Sequence, residues 1–172
     1  MAHNEIDVEA PPEAVFAVLA EPRSYARWVV GSRTIRRADA DWPARGSAFD
    51  HAVGIGPLTL KDSSEVVESD RPRLLRLRVM TRPLAVAYVT LRLTATAGGT
   101  RVEMDEVAAD SRSRLFFNPL TDPLIKLRNA ESLRRLKALA EGEEPIPDGP
   151  LPPRGSAAEG EVQGSSAPAP PS

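Results

Sequence analysis

The sequence predicts an α+β domain in which a curved antiparallel sheet closes over a long C-terminal helix. Three observations support this fold class. The chain opens with a segment that alternates apolar and polar residues, and two short helical segments follow it. Residues 34–109 then show strand patterns of roughly 6–10 residues separated by turn residues, which is typical of an antiparallel meander. A helical period returns near residue 118 and continues to about residue 142.

The first strand and the two short helices are predicted from local patterns. Residues 3–10 alternate apolar and polar side chains, the period of a half-buried strand. Pro11 and Pro12 end that strand and open a helix, because proline is tolerated in a first helical turn. Pro22 ends this helix, and a second short helical turn places Tyr25 and Trp28 on one side.

Six further strands are predicted in the central region, so that the sheet has about seven strands. Glycine, proline and aspartate mark the turns between them, and Gly98-Gly99 is a short hairpin signal. The expected strands lie near residues 34–40, 47–53, 58–68, 73–81, 86–96 and 100–109.

The long helix and the tail after it divide the chain at residue 142. Asn118 or Asp122 is the candidate N-cap, and each is followed by a proline. The principal apolar face of the helix reads Ile125, Asn129, Leu133, Leu136 and Ala140, and a second stripe of Leu120, Leu124 and Leu127 indicates that its first half is covered on two sides. Residues 143–172 are rich in Pro, Gly, Ser and Ala, so we expect a domain over residues 1–142 and a disordered tail over 143–172.

Composition excludes several classes of protein. The chain has no cysteine, which rules out disulfides and thiolate chemistry, and we expect neither a metal nor a cofactor. The formal net charge is −2 and no basic face is clustered, so nucleic acid is not an expected partner. No apolar run approaches the roughly 18 residues of a membrane span, and no export signal is visible. We therefore expect a cytoplasmic protein, either a monomer or a weak homodimer.

Three segments resemble a known superfamily. They are IDVEAPPEAVFAVLAEPRSYARWV at residues 6–29, GPLTLKDSSEVVESDRPRLLRLRV at 56–79 and GGTRVEMDE at 98–106, and a long final helix follows them. Together they resemble the START-like SRPBCC superfamily, in particular its polyketide cyclase/dehydrase and lipid-transport group, over about residues 3–141. The resemblance implies a helix-grip fold with an internal hydrophobic cavity. Members of that superfamily bind lipids, polyketides or hormones, some are enzymes, and some assist chaperones.

Alternation along the strands predicts which side chains face the cavity. A shift of one residue would turn every side chain to the other face, so the apolar positions define the phase. The outer face then carries arginines and carboxylates, either as a solvated surface with ion pairs or as an anion or partner site. The predicted apolar and aromatic ligand contacts are Trp28, Phe49, Leu77, Leu91, Met104 and Ile125.

The same phase directs His51, Asp62 and Glu106 inward, and Asn129 lies in the middle of the apolar face of the long helix. Buried polar groups need partners, so these four either bond each other or contact a ligand. Alternatives stay open at each position. His51 could lie at an exposed strand rim, a bulge could turn Asp62 or Glu106 outward, and Asn129 could form a structural hydrogen bond.

The leading function hypothesis is binding or carriage of a hydrophobic small molecule, such as a lipid or a polyketide-like compound. The alternative is a cyclase or dehydratase that uses His51 with Asp62 or Glu106 as general acid and base. The sequence has neither a G-x-S-x-G nor an H-E-x-x-H motif, so no catalytic residue is assigned beyond these candidates. A third hypothesis is a protein-interaction module with the tail as a tether.

Overall fold

A computed structural model describes residues 1–55, 58–81, 85–111, 113, 121–147 and 149–154, and no side chains in 53–61 or at 81. Within these residues the chain forms seven strands and three α-helices, with a short 3₁₀ turn between the first two helices. In chain order they are β1 (Ala2–Val8), α1 (Pro12–Leu19), the 3₁₀ turn (Pro22–Ser24), α2 (Tyr25–Trp28), β2 (Ser32–Ala38), β3 (Ala48–Ile55), β4 (Leu58–Asp70), β5 (Leu74–Thr81), β6 (Ala85–Thr96), β7 (Gly99–Ala108) and α3 (Asp122–Ala140).

The seven strands form one antiparallel sheet in the order β1-β7-β6-β5-β4-β3-β2. Every strand from β2 to β7 pairs with its neighbour in sequence, and β1 returns to pair with β7. α3 packs against β1, α1 and α2. The predicted α+β helix-grip fold is confirmed.

The core lies between the inner face of the sheet and the helices. Leu75, Leu91 and Val102 on three adjacent strands are fully buried, as are Leu133 and Leu136 on α3. These positions follow the predicted alternation, and the arginines between them on β5 are less buried. Burial of each leucine stabilises the fold by roughly 1.5–3 kcal/mol. The predicted inner face is therefore correct for these strands.

Four aromatic rings pack together between α2 and β3. Tyr25 contacts Trp28 with ring centroids 4.9 Å apart, and Phe49 lies 4.7 Å from both Tyr25 and Trp42. The carbonyl of Leu19 accepts hydrogen bonds from the Tyr25 hydroxyl (3.0 Å) and the Trp42 indole (3.2 Å). Burial raises the pKa of Tyr25, so this hydroxyl remains a donor. The cluster fixes α2 against the sheet.

α3 buries only part of the surface that its sequence suggested. Asn129, Leu133 and Leu136 are buried, as expected for the principal face. The second stripe differs from the prediction, since Leu124 and Leu127 are 70% and 69% exposed. Leu120 and the candidate cap Asn118 lie outside the described residues. Helical spacing gives the side chains of a stripe a common direction, but it does not show that another element covers them.

The first residues after Gly142 contact the domain. Arg23 donates hydrogen bonds to the carbonyls of Gly149 and Pro150, and the backbone N–H of Ala38 in β2 donates to Pro152 O (3.2 Å). Arg154 forms ion pairs with Asp39 and Asp50, which lie after β2 and on β3. Although the composition of this segment suggested a disordered tail, its described residues from Gly149 to Arg154 contact the domain at Arg23 and near the end of β2. Residues 155–172 are outside the description.

Candidate ligand-binding site

A cavity of about 80 Å³, here called the inner cavity, lies between the sheet and the helices. Leu77, Val79, Val89 and Met104 supply most of its apolar wall. The other lining residues are Tyr25, Trp28, Val29, Ser64, Glu106, Arg128, Asn129 and Ser132. The volume is smaller than the roughly 150 Å³ of an apolar cavity that binds benzene, so a lipid-sized ligand requires its walls to separate.

Glu106, Arg128 and Asn129 form a polar cluster at the cavity wall. Glu106 follows Met104 by two positions on β7 and therefore faces inward, where its side chain is 7% exposed. Its Oε2 accepts hydrogen bonds from Asn129 Nδ2 (2.8 Å) and from the Arg128 guanidinium. Arg128 also donates to Asn129 Oδ1 (3.0 Å), so the three side chains form one closed network. A buried carboxylate with these partners has both its charge and its hydrogen bonding compensated.

Ser132 connects this part of α3 to the segment after α2. Its hydroxyl donates to Arg128 O (2.9 Å) and accepts from Val30 N (3.1 Å). Val29 and Trp28 precede that contact directly and line the cavity. This serine thus links the aromatic wall to the polar cluster.

His51 and Asp62 form a second buried pair on neighbouring strands. They are direct partners in the β3–β4 register, and their side chains are 5% and 2% exposed. His51 Nε2 lies 3.3 Å from Asp62 Oδ2, within ion-pair distance but without hydrogen-bond alignment. His51 Nδ1 lies 3.4 Å from Ser32 Oγ, and Phe49 packs edge-on against the ring. Both ring nitrogens therefore face protein groups.

Asp62 also lines a groove of about 320 Å³, here called the outer groove. Its other lining residues are Arg36, Arg37, Asp50, Ser63, Met80 and Arg154. Asp50 is paired with Arg154, and Asp62 Oδ1 accepts from Ser63 N at 2.7 Å. The His51–Asp62 pair thus borders the outer groove and is not part of the inner cavity wall.

The outer face of β1, β7 and β6 carries the predicted ion pairs. Asp105 accepts from His3 Nδ1 (2.7 Å) and pairs with Arg92, and Asp7 pairs with Arg101. Burial raises the pKa of Asp105, but the hydrogen bonds from His3 and Arg92 outweigh it, so that its pKa lies below 3.8. Donor atoms of His3, Glu5 and Glu103 lie within 4.8 Å of one another on this exposed face, remote from the inner cavity lining.

The structure divides the predicted site residues into two groups. Trp28, Leu77, Met104, Glu106 and Asn129 line the inner cavity. Five others do not: Phe49 and Leu91 are buried core residues, His51 and Asp62 form the second pair, and Ile125 is half-buried on α3. Contact with a ligand stays a prediction for all ten. The exposed alternative for His51 and the outward-turning bulges at Asp62 and Glu106 are wrong, since all three side chains are buried.

Sequence reasoning missed Arg128 and Ser132. Arg128 lies at the edge of the apolar face of α3, where a helical pattern predicts a solvent-facing residue. Ser132 lies within that face, three residues after Asn129 and four before Leu136, so helical spacing alone could have found it. Arg128 is 43% exposed, and only its long side chain brings the guanidinium to Glu106. One signal was present, namely a buried carboxylate on β7 that needed a cationic partner from the facing helix.

The sheet, the long helix and the cavity between them define the class as a helix-grip protein. The chain belongs to the family described as polyketide cyclase / dehydrase and lipid transport, whose model matches residues 2–141. No curated protein gives a significant match to the sequence. In the part of the chain that is described, no helix has the length and apolarity to cross a membrane.

Solved structures with the same fold share little sequence with this chain. Protein CV1439 from Chromobacterium violaceum aligns with a TM-score of 0.65 at 17% identity, over 81% of this chain and 96% of that one. Protein NE0264 from Nitrosomonas europaea aligns with a TM-score of 0.61 at 17% identity, over 83% and 94%. The di-domain ARO/CYC StfQ of the steffimycin biosynthetic pathway aligns with 0.65 at 14% identity, over 82% of this chain and 50% of its own. At these identities the likeness extends to the fold alone.

Proposed function

We propose that this protein binds a hydrophobic small molecule, lipid or polyketide-like, in the inner cavity. The observation that carries the proposal is an apolar cavity between sheet and α3 with a compensated polar cluster at its wall. Apolar walls supply affinity through burial, and a few fixed polar groups orient the ligand. The family description, which includes lipid transport, supports the same function.

Binding a molecule of this size requires the inner cavity to widen from about 80 Å³. Met104 and Leu77 supply flexible walls, because methionine in particular changes shape at low cost. Arg128 is half exposed and lines the cavity, so its movement would widen the opening to solvent. The unliganded state is then a narrow form that the ligand widens.

The test compares one substitution at two places in the sheet. Val89→Phe fills the inner cavity, whereas Val107→Phe adds the same volume to the outer face of β7. Native mass spectrometry of freshly purified protein would detect a co-purified molecule. Thermal shifts with fatty acids, sterols and aromatic polyketides would report added ligands.

We expect a ligand-dependent increase in Tm for the parent chain and for Val107→Phe, and none for Val89→Phe. Equal increases in both variants would place the ligand elsewhere. The absence of any co-purified mass and of any shift across the panel would refute the function.

A second candidate is cyclase or dehydratase chemistry in the same cavity, favoured by the position of Glu106. Glu106 is the carboxylate among the described lining residues, so it is placed to accept a proton from a bound substrate. The His51–Asp62 pair is less suitable, because both imidazole nitrogens already face Ser32 or Asp62. Glu106→Gln should abolish turnover of a polyketide substrate while His51→Gln retains it. Unchanged turnover in Glu106→Gln would exclude this candidate.

A further inference from the structure

Trp28 is a residue of the inner cavity wall whose buried indole N–H is unmatched. The residue is 2% exposed, and its indole N–H has no hydrogen-bond partner among the described residues. Three of its polar neighbours in the wall are matched: Tyr25 donates to Leu19 O, Ser132 makes two hydrogen bonds, and Asn129 uses both ends of its amide. A buried donor without a partner costs free energy, so a ligand that offered an acceptor would recover that cost.

The charge of the ligand follows from the polar cluster. Glu106 is 7% exposed and already paired with Arg128. An anionic ligand would have to share Arg128 with this buried carboxylate, and a cationic ligand would compete with Arg128 for it. Either arrangement leaves a charge poorly compensated inside the protein. The cavity therefore favours a neutral molecule.

We propose that Trp28 is a specificity-determining residue, which selects neutral apolar ligands that carry a carbonyl-type acceptor by donating its indole N–H to that oxygen. This inference rests on the proposed function, since it assumes that the inner cavity takes a ligand. The shape of the cavity does not distinguish two equally apolar molecules, whereas this hydrogen bond predicts that the one with an acceptor binds better.

Two probes of nearly the same shape test the hydrogen bond. Acetophenone carries a carbonyl oxygen, and α-methylstyrene has a methylene group in its place. Their affinities would be measured by isothermal titration calorimetry or ligand-detected NMR. Trp28→Phe removes the N–H but keeps an aromatic wall. Trp42→Phe is the matched control, because its N–H already donates to Leu19 O and it lies outside the cavity lining.

The decisive quantity is the ratio of the affinities for acetophenone and α-methylstyrene. We expect this ratio to be roughly three- to tenfold higher in the parent chain and in Trp42→Phe than in Trp28→Phe, the range of one net hydrogen bond. Benzoate, the anionic relative, should bind more weakly than acetophenone. If both neutral probes bind and Trp28→Phe leaves their affinity ratio unchanged, the inference fails while ligand binding stands. Should neither probe bind, even to Met104→Ala with its enlarged cavity, the inference fails, and the proposed function is decided separately by the panel of fatty acids, sterols and polyketides.

Discussion

At the scale of single residues, Glu131 has the most strongly lowered pKa among the carboxylates that the structure describes. On the outer side of α3 it accepts hydrogen bonds from Arg134 (2.8 Å) and Arg135 (2.7 Å), which lower its pKa from 4.5 to about 2. Because the folded-state pKa is depressed, the contribution to stability is present above pH 4.5 and is lost as the pH falls towards 2.

We expect Glu131→Gln to flatten the decline in the free energy of unfolding between pH 4.5 and pH 2. Urea denaturation at several pH values in this range would measure the free energy of unfolding, and Glu13→Gln on α1 is the control. Salt should reduce the difference, since the group is exposed and screened. An ordinary carboxyl pKa for Glu131 in an NMR titration would contradict the prediction.

The buried His51–Asp62 pair should be coupled more strongly than a surface pair of the same residue types. A double-mutant cycle with His51→Ala and Asp62→Ala should give a coupling of about 1–3 kcal/mol. The reason is that each single variant leaves the other polar side chain buried without its neighbour at 3.3 Å. The control cycle uses His3 and Asp105, which are 45% and 22% exposed and should couple by less than about 1 kcal/mol. Additive effects at His51 and Asp62 would show that their proximity carries no energy.

Alternation predicted that His51, Asp62 and Glu106 face inward, and this is correct because each strand keeps its phase. Which partner each would find was beyond the pattern. Asp62 meets His51 through strand register, whereas Glu106 meets Arg128 only because a long side chain reaches from the flank of α3. Register follows from turn geometry, and the reach of an arginine follows from helix position. The alternation of residues along one strand therefore predicts neither the register nor the contact with the arginine.

At the scale of elements, the β6–β7 hairpin depends on one of its two glycines. Gly99 has φ +143°, and a Cβ there would lie 2.1 Å from Val8 O, in the strand that β7 pairs with. Nothing lies within 4 Å of a Cβ at Gly98. Gly99→Ala should therefore lower the free energy of unfolding by more than about 2 kcal/mol, and Gly98→Ala by less than about 1 kcal/mol. Urea denaturation of the two variants would measure both changes in the free energy of unfolding, and equal losses would contradict this explanation.

Strands were easier to predict than the helix surface. The turn residues between strands placed each observed strand within a few residues of its predicted range, because glycine and proline act locally. The exposure of Leu124 and Leu127 could not be predicted in this way. It depends on which distant part of the chain packs there, and helical spacing contains no such information.

At the scale of the whole molecule, composition and pattern identified the fold but not the size of its interior. An inner face of leucine, valine and methionine is compatible with a wide cavity or a filled core. The balance depends on how side chains from opposite walls interdigitate. Here they leave about 80 Å³, which is why ligand binding is argued together with movement of the walls.

The hydrogen bond from Ala38 to Pro152 has a consequence for the solution behaviour of the chain. β2 ends the sheet, and an uncovered edge strand offers unpaired N–H and C=O groups to the same strand of another molecule. Residues 149–154 contact this edge at Ala38, the last residue of β2, so we expect them to hinder strand-to-strand association.

A chain ending at Gly142 should self-associate as its concentration rises, whereas a chain ending at Arg154 should behave like the full-length protein. Analytical ultracentrifugation would separate the two, and identical sedimentation of both would contradict the idea. The short segment after the last helix would then serve colloidal stability, by keeping the β2 edge of the sheet from pairing with the same edge of another molecule.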